Sequence, residues 1–237
     1  MLPTSLERFD TKASLQRSVA DQMADYLRDC VSRRGVASVS LSGGSTPKRI
    51  YELLAEMDLP WDQIHWFWGD ERNVSADDEQ SNFRMVRLAL LDPAKVPAAQ
   101  IHPVETNLSD PAAAARDYEN KLRSFFSGQS MPVWDLVLLG MGDDGHTASL
   151  FPHTRALAER ERWFTENWVE KFDAYRYTLS APAIAAGRER WFLITGAEKR
   201  EALQNVLNSE TSADDYPAKM IMPTRLLVTE ETLPVSA

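Results

Sequence analysis

Hydrophobic positions along this chain switch between two periods. Leu15, Val19, Met23, Tyr26, Leu27, Cys30 and Val31 recur every three to four residues and predict an amphipathic helix ending near Gly35. Residues 36–41 (VASVSL) and 64–68 (IHWFW) are short apolar runs that stop at Ser42-Gly43-Gly44 and Gly69-Asp70, the punctuation of strands. Between them, Thr46 followed by Pro47 predicts a helix N-cap with proline in the first helical position, continuing through Ile50, Leu53 and Leu54. The alternation goes on. Helical spacing covers 83–91, 111–126 and 197–207, and strand patterns cover 133–139, 175–179, 191–194 and 225–229. Strands separated by helices predict parallel βαβ units, a mostly parallel sheet with helices on both faces. Such sheets bind ligands beyond the carboxyl ends of their strands. No linker, repeat or low-complexity tract interrupts the pattern, so a single α/β domain spanning 1–237 is expected.

Bulk properties narrow the choice of partner. Nothing approaches the ~20 apolar residues of a membrane span, and residues 1–18 lack an apolar signal core. The lone Cys30 has no internal disulfide partner, and a cytoplasmic setting is expected. The net charge of −9 argues against nucleic acid and anionic membranes. An anionic ligand would therefore need a local cluster of cations and backbone amides.

The strand-end loops supply one. In SLSGGSTPKRIY (40–51), glycines permit close backbone approach, Ser42, Ser45 and Thr46 add hydroxyls, and a helix N-terminus follows. This is not a Walker A loop. Arg176 in RYTLS and Lys199 in ITGAEKREAL fall beside other strand ends and complete a plausible cup for one phosphate. Asp70, Glu71 and Arg72 form a third cluster, which alone reads as a solvated charge run.

The loop GMGDDGHTASLFP (140–152) contains G-x-G-x-x-G, the dinucleotide fingerprint. That reading is poor. Pro152 stops any helix within two turns, no strand with a terminal acid follows near 160, and Asp143 and Asp144 would oppose a pyrophosphate. His146 offers a different use, a proton acceptor near neutrality whose tautomer Asp144 or Asp143 could fix. His65 and His102 read as packing residues, and His153 stays a minor candidate. Neither a G-x-S-x-G elbow nor H-E-x-x-H nor C-x-x-C occurs, so no covalent nucleophile, metal or cofactor is expected.

In this order, SGGSTP, WGDERNV with SNFRMVRLALL, LVLLGMGDDGHTASLFP, RYTLSAPAI and ITGAEKREAL resemble the 6-phosphogluconolactonase family from about Ser40 to Leu203. The resemblance implies a Rossmann-like three-layer fold shared with glucosamine-6-phosphate deaminases. It also implies cofactor-free hydrolysis of 6-phospho-D-glucono-1,5-lactone to 6-phosphogluconate, the second step of the oxidative pentose phosphate pathway. His146 is then the base and Asp144 its orienting acid. Gly43, Gly44, Ser45, Thr46, Arg176 and Lys199 hold the phosphate, and Arg72 serves either the phosphate or the oxyanion. The expected partner is a small sugar-phosphate lactone, without nucleic acid or membrane, and the assembly a monomer or weak homodimer. Deaminases carry D-E-Y and A-F-N-E-P where this chain has Asp70-Glu71-Arg72 and Ser149-Leu150-Phe151-Pro152, which disfavours that alternative. A non-catalytic sugar-phosphate binding domain is a further alternative, disfavoured by the intact D-G-H turn. RYTLS departs mildly from the family's R-I/V-T-L-T. Residues 154–173 have no assignable role beyond covering the site or the sheet edge.

Overall fold

The computed structural model describes residues 5–107 and 110–233; the ends of the expected 1–237 span and residues 108–109 lie outside it. Ten strands form two sheets among the described residues. The larger contains β1 (Ser5–Phe9), β2 (Ala37–Leu41), β3 (Ile64–Trp68), β5 (Ile101–His102), β6 (Leu136–Leu139), β9 (Glu189–Ile194) and β10 (Arg225–Thr229). Its order is β1-β10-β9-β6-β2-β3-β5, with every neighbouring pair parallel. Every residue of β2 and β6 is buried, as it must be when helices cover both faces of a parallel sheet. This is the predicted α/β, Rossmann-like architecture.

Helix α1 (Lys12–Arg34) starts on a capping box at Thr11 and ends at Gly35, whose φ of +77° suits a residue without a side chain. It packs on α2 (Ser45–Leu54) and on β1, β2 and β10. Helix α4 (Pro111–Phe125) grips β3 through the Tyr118 hydroxyl, which donates to the Trp68 carbonyl and accepts from the Trp68 amide. Leu15, Met23, Trp66, Trp134 and Trp191 are fully buried, and the same apolar cluster takes in Phe164, Tyr177 and Leu179. Among the described residues no helix is long and apolar enough to cross a membrane.

Two expectations are corrected. Residues 175–179 do form a strand, but β8 (Ala174–Leu179) lies outside the parallel sheet. It pairs antiparallel with β4 (Asp70–Arg72) and β7 (Phe164–Val169) in a three-stranded sheet. And Thr46 is not a helix cap. Gly44 takes that place at φ +103°, no side chain caps the helix, and the Thr46 hydroxyl meets that of Thr195 at 2.8 Å. Cβ-free Gly44 adopts a conformation that Thr46 would resist.

The chain runs from β2 through β3 to β5 on one side, then returns to β6, β9 and β10 on the other. Strand order therefore reverses between β2 and β6, and a crevice opens beyond their carboxyl ends. Both glycine loops leave the sheet at this point.

Candidate active site

A cleft of about 260 Å³ occupies the switch point. Ser42, Gly43 and Gly44 follow β2; Asp70 and Arg72 follow β3; Gly140, Gly142 and His146 follow β6; Phe172 comes from the turn between β7 and β8, Arg176 from β8, and Lys199 from beyond β9. Segments distant in sequence thus converge as expected, and only folding brings them together.

The loop after β6 is not a nucleotide cradle, because no helix begins there. It closes on itself instead: the Gly142 amide donates to the His146 carbonyl (2.9 Å) and the Thr147 hydroxyl to the Gly140 carbonyl (2.8 Å). Its glycines serve packing. A Cβ on Gly142 would lie 2.0 Å from His146 Nδ1, and Gly145, at φ +74°, rests against Tyr216. The resulting bend places His146 Nδ1 2.5 Å from Asp144 Oδ1 and stacks the imidazole on Phe151, ring centres 4.1 Å apart. Nε2 is left for the cleft. Burial pushes the Asp144 carboxyl up, but hydrogen bonds and charge from His146 and Lys171 outweigh it and hold the group well below the usual carboxylate range. Of the two aspartates left open by the sequence, Asp144 is the partner. Asp143 is exposed and faces Lys171 at 3.9 Å.

Beside the loop, β4 and β8 set Arg72 directly across from Arg176. Like charges so placed repel. Burial and then the Arg72 charge pull the Arg176 guanidinium down. Among the described residues neither arginine, nor Lys199, has a carboxylate within 4.0 Å. Arg72 Nη1 donates to the Gln80 carbonyl (2.7 Å), and the Arg176 guanidinium lies over the Phe172 ring (5.0 Å). In a chain of net charge −9, three cations facing one cleft, without carboxylate partners among the described residues, make that cleft locally favourable to an anion.

The expected phosphate residues divide between two hollows. Gly43, Gly44, Arg176 and Lys199 line the cleft with His146. Ser45 and Thr46 line an adjoining hollow of about 300 Å³ with Lys12, whose ammonium donates to Ser45 Oγ (2.9 Å). Gly43, Gly44, Gly140 and Lys199 border both.

The remaining sequence candidates sort by environment. Glu71 is structural. Its carboxylate accepts the amides of Arg72, Asn82 and Phe83 at 2.7–2.8 Å, starting α3 (Asn82–Val86), and burial pushes it up to about 7 against those bonds. His65 and His102 hydrogen-bond each other at 2.9 Å, His102 stacked on Phe67 and His65 tilted against Phe125. His153 points away and pairs with Asp215 at 3.2 Å. Asp70, from the third cluster, lines the cleft, while sequence reasoning gave no role to Ser149, Phe151, Lys171 and Phe172. Asp70 accepts the Ser149 hydroxyl at 2.9 Å in the cleft wall. Lys171 and Phe172 come from the stretch 154–173, which carried no assigned role.

Comparisons with known proteins agree with this geometry. The sequence profile of the family described as glucosamine-6-phosphate isomerases/6-phosphogluconolactonase matches residues 10–232. A 6-phosphogluconolactonase of Synechocystis is 47% identical over 195 residues, 81% of this chain and 80% of its own length. One of Nostoc is 46% identical over 218 residues, 90% of this chain and 89% of the relative. The crystal structure of 6-phosphogluconolactonase from Leishmania guyanensis superposes with a TM-score of 0.86 at 29% identity, covering 100% of both chains. That from Trypanosoma cruzi gives 0.86 at 28%, over 98% and 96%. With its sheet order, its switch-point cleft and its histidine loop in place, the chain belongs to the glucosamine-6-phosphate isomerase/6-phosphogluconolactonase family.

Proposed function

We propose that this protein hydrolyses 6-phospho-D-glucono-1,5-lactone to 6-phospho-D-gluconate, with His146 as general base. One observation carries the reading: an imidazole braced by a carboxylate shares a cleft with two facing arginines that have no carboxylate partner among the described residues. The names of the relatives support it.

Arg176, Arg72 and Lys199 take the 6-phosphate, assisted by amides around Gly43 and Gly44. Charge-assisted bonds of this kind are roughly twice as strong as neutral ones. We assign Arg72 to the phosphate as well, since it faces Arg176 across β4 and β8. The anchored ring presents its carbonyl carbon to a water on Nε2 of His146. The water oxygen bonds to that carbon as its proton passes to the imidazole. The tetrahedral intermediate then collapses by breaking the bond to the ring oxygen, which receives the proton. Asp144 balances the transient imidazolium. A placed base contributes ~10²–10⁴-fold, and a strained lactone demands little more.

His146→Ala is expected to lower kcat by about that factor with little change in KM, measured on lactone generated in situ and corrected for spontaneous opening. Near wild-type turnover in that variant would remove the assigned base. Ammonia release from glucosamine 6-phosphate would favour the deaminase reading, against which stands Ser149-Leu150-Phe151-Pro152, a segment without the acid that reaction uses.

A further inference from the structure

The turn between β7 and β8 reaches the dyad at the edge of the cleft, which its Phe172 lines. Glu170–Phe172 form one tight helical turn, ended by Asp173 at φ +48°. From it Lys171 Nζ donates to Asp144 Oδ2 at 3.0 Å and lies 3.9 Å from Asp143 Oδ1. The other oxygen, Oδ1, accepts from both the His146 ring (2.5 Å) and the His146 backbone amide (3.2 Å). Both oxygens of Asp144 are thus held, and the carboxylate plane has one orientation. The next residue, Phe172, packs edge-on to Phe151 (5.6 Å), the ring stacked on the imidazole. One turn therefore buttresses both members of the dyad.

The charges around Asp144 explain why an ammonium belongs there. On the cleft side stand Asp70, Arg72, Arg176 and Lys199. On the outer side Asp144 borders an open hollow with Asp143, Glu201, Glu210 and Asp215, the last paired to His153. The carboxylates on that outer side disfavour a further negative charge at Asp144, and an ammonium beside it offsets them. Among the described residues, Lys171 is the one lysine or arginine within 4.0 Å of Asp144. Its bond to Asp144 in turn raises the Lys171 ammonium, so the lysine stays charged across the working range.

We infer that Lys171 is a positioning residue for hydrolysis: it pins Asp144 Oδ2 so that Oδ1 stays on His146, and its charge keeps the dyad active at lower pH than the acidic surroundings would otherwise allow. The inference rests on His146 being the base.

Three variants of one side chain test it: Lys171→Arg, Lys171→Met and Lys171→Glu, each on the full chain. The acid limb of the kcat/KM profile is expected to hold its place in Lys171→Arg. In Lys171→Met it moves up by roughly half to one pH unit, as expected for losing a half-exposed charge one residue removed from the base. In Lys171→Glu it moves further, and high salt shrinks both shifts. Titration of the His146 ring by NMR, without substrate, should show the same order, so this inference is read even if the lactone proves not to be the substrate. An absence of wild-type turnover would count against the lactonase reading alone. Equal loss at every pH in all three variants, or a limb that ignores the sign of residue 171, would overturn the positioning role.

Discussion

Replacing Gly142 by alanine asks whether the glycine loop exists to aim the imidazole. A Cβ at Gly142 would sit 2.0 Å from His146 Nδ1, 2.2 Å from His146 Cε1 and 2.6 Å from Asp144 Oδ1. Ordinary contact begins near 3.4 Å, so the ring must retreat by about 1 Å or more, and the bond to Asp144 goes with it. The backbone at this glycine is not left-handed, so alanine adds no conformational strain of its own. A displacement of about 1 Å in a reacting group costs on the order of 10²-fold in rate. Lactone hydrolysis under saturating substrate should therefore fall by about 10²-fold in kcat, with KM changed far less, because the atoms nearest the added Cβ belong to His146 and Asp144 and not to the phosphate cations. The matched control is Gly140→Ala, two residues away, where an added Cβ meets nothing within 4 Å. That variant should leave the His146–Asp144 bond intact, and any change it makes belongs to KM, since Gly140 lines the cleft. Wild-type kcat in Gly142→Ala, with the histidine ring unmoved by NMR or crystallography, would refute the argument, as would equal losses in the two variants.

Two further outcomes follow from charge. Arg176→Met should raise KM at least tenfold with kcat nearly kept, yet raise the Tm of the free protein by about 1–4 °C, because the repulsion of Arg72 across the strands is relieved. A lower Tm, or an unchanged KM, would show that the pair is not poised for an anion. The second concerns His102, which burial and then its neighbours His65 and Lys121 pull down to about 4, with His65 also lowered by burial. Folded His102 stays neutral where the unfolded chain, near 6.5, already binds a proton. Stability is therefore complete above pH 6.5 and lost as pH falls from there toward 4. His102→Phe, which keeps the stacking on Phe67 but removes the proton site, should flatten that loss in urea melts; an identical slope in the variant would reject the assignment.

Much of the fold was legible locally. Residues 64–68 and 225–229 are the strands the apolar runs predict, because both faces of a parallel strand need hydrocarbon. The histidine loop was readable too, since Pro152 and two aspartates contradict a nucleotide turn whatever surrounds them. Strand β7 was not. In FTENWV the buried set includes Thr165 and Asn167. Asn167 earns its burial by donating to the carbonyl of Ser149 and the hydroxyl of Thr154, partners that no window of neighbouring residues contains. Strand β1 hid for a different reason, its five residues alternating in a pattern too short to weigh.

By itself, then, the sequence determined the alternation of strand and helix, the sharp bend at Gly142–Gly145, and the presence of two candidate carboxylates beside one imidazole, since steric fit and hydrogen bonding over so short a span depend on the local chain. Only the tertiary structure decided that β4, β7 and β8 leave the parallel sheet, that Arg72 faces Arg176, and that Lys171 closes on Asp144. Those contacts join segments whose distance is set by how the whole core packs, and electrostatic pairing has no period along the chain to betray it.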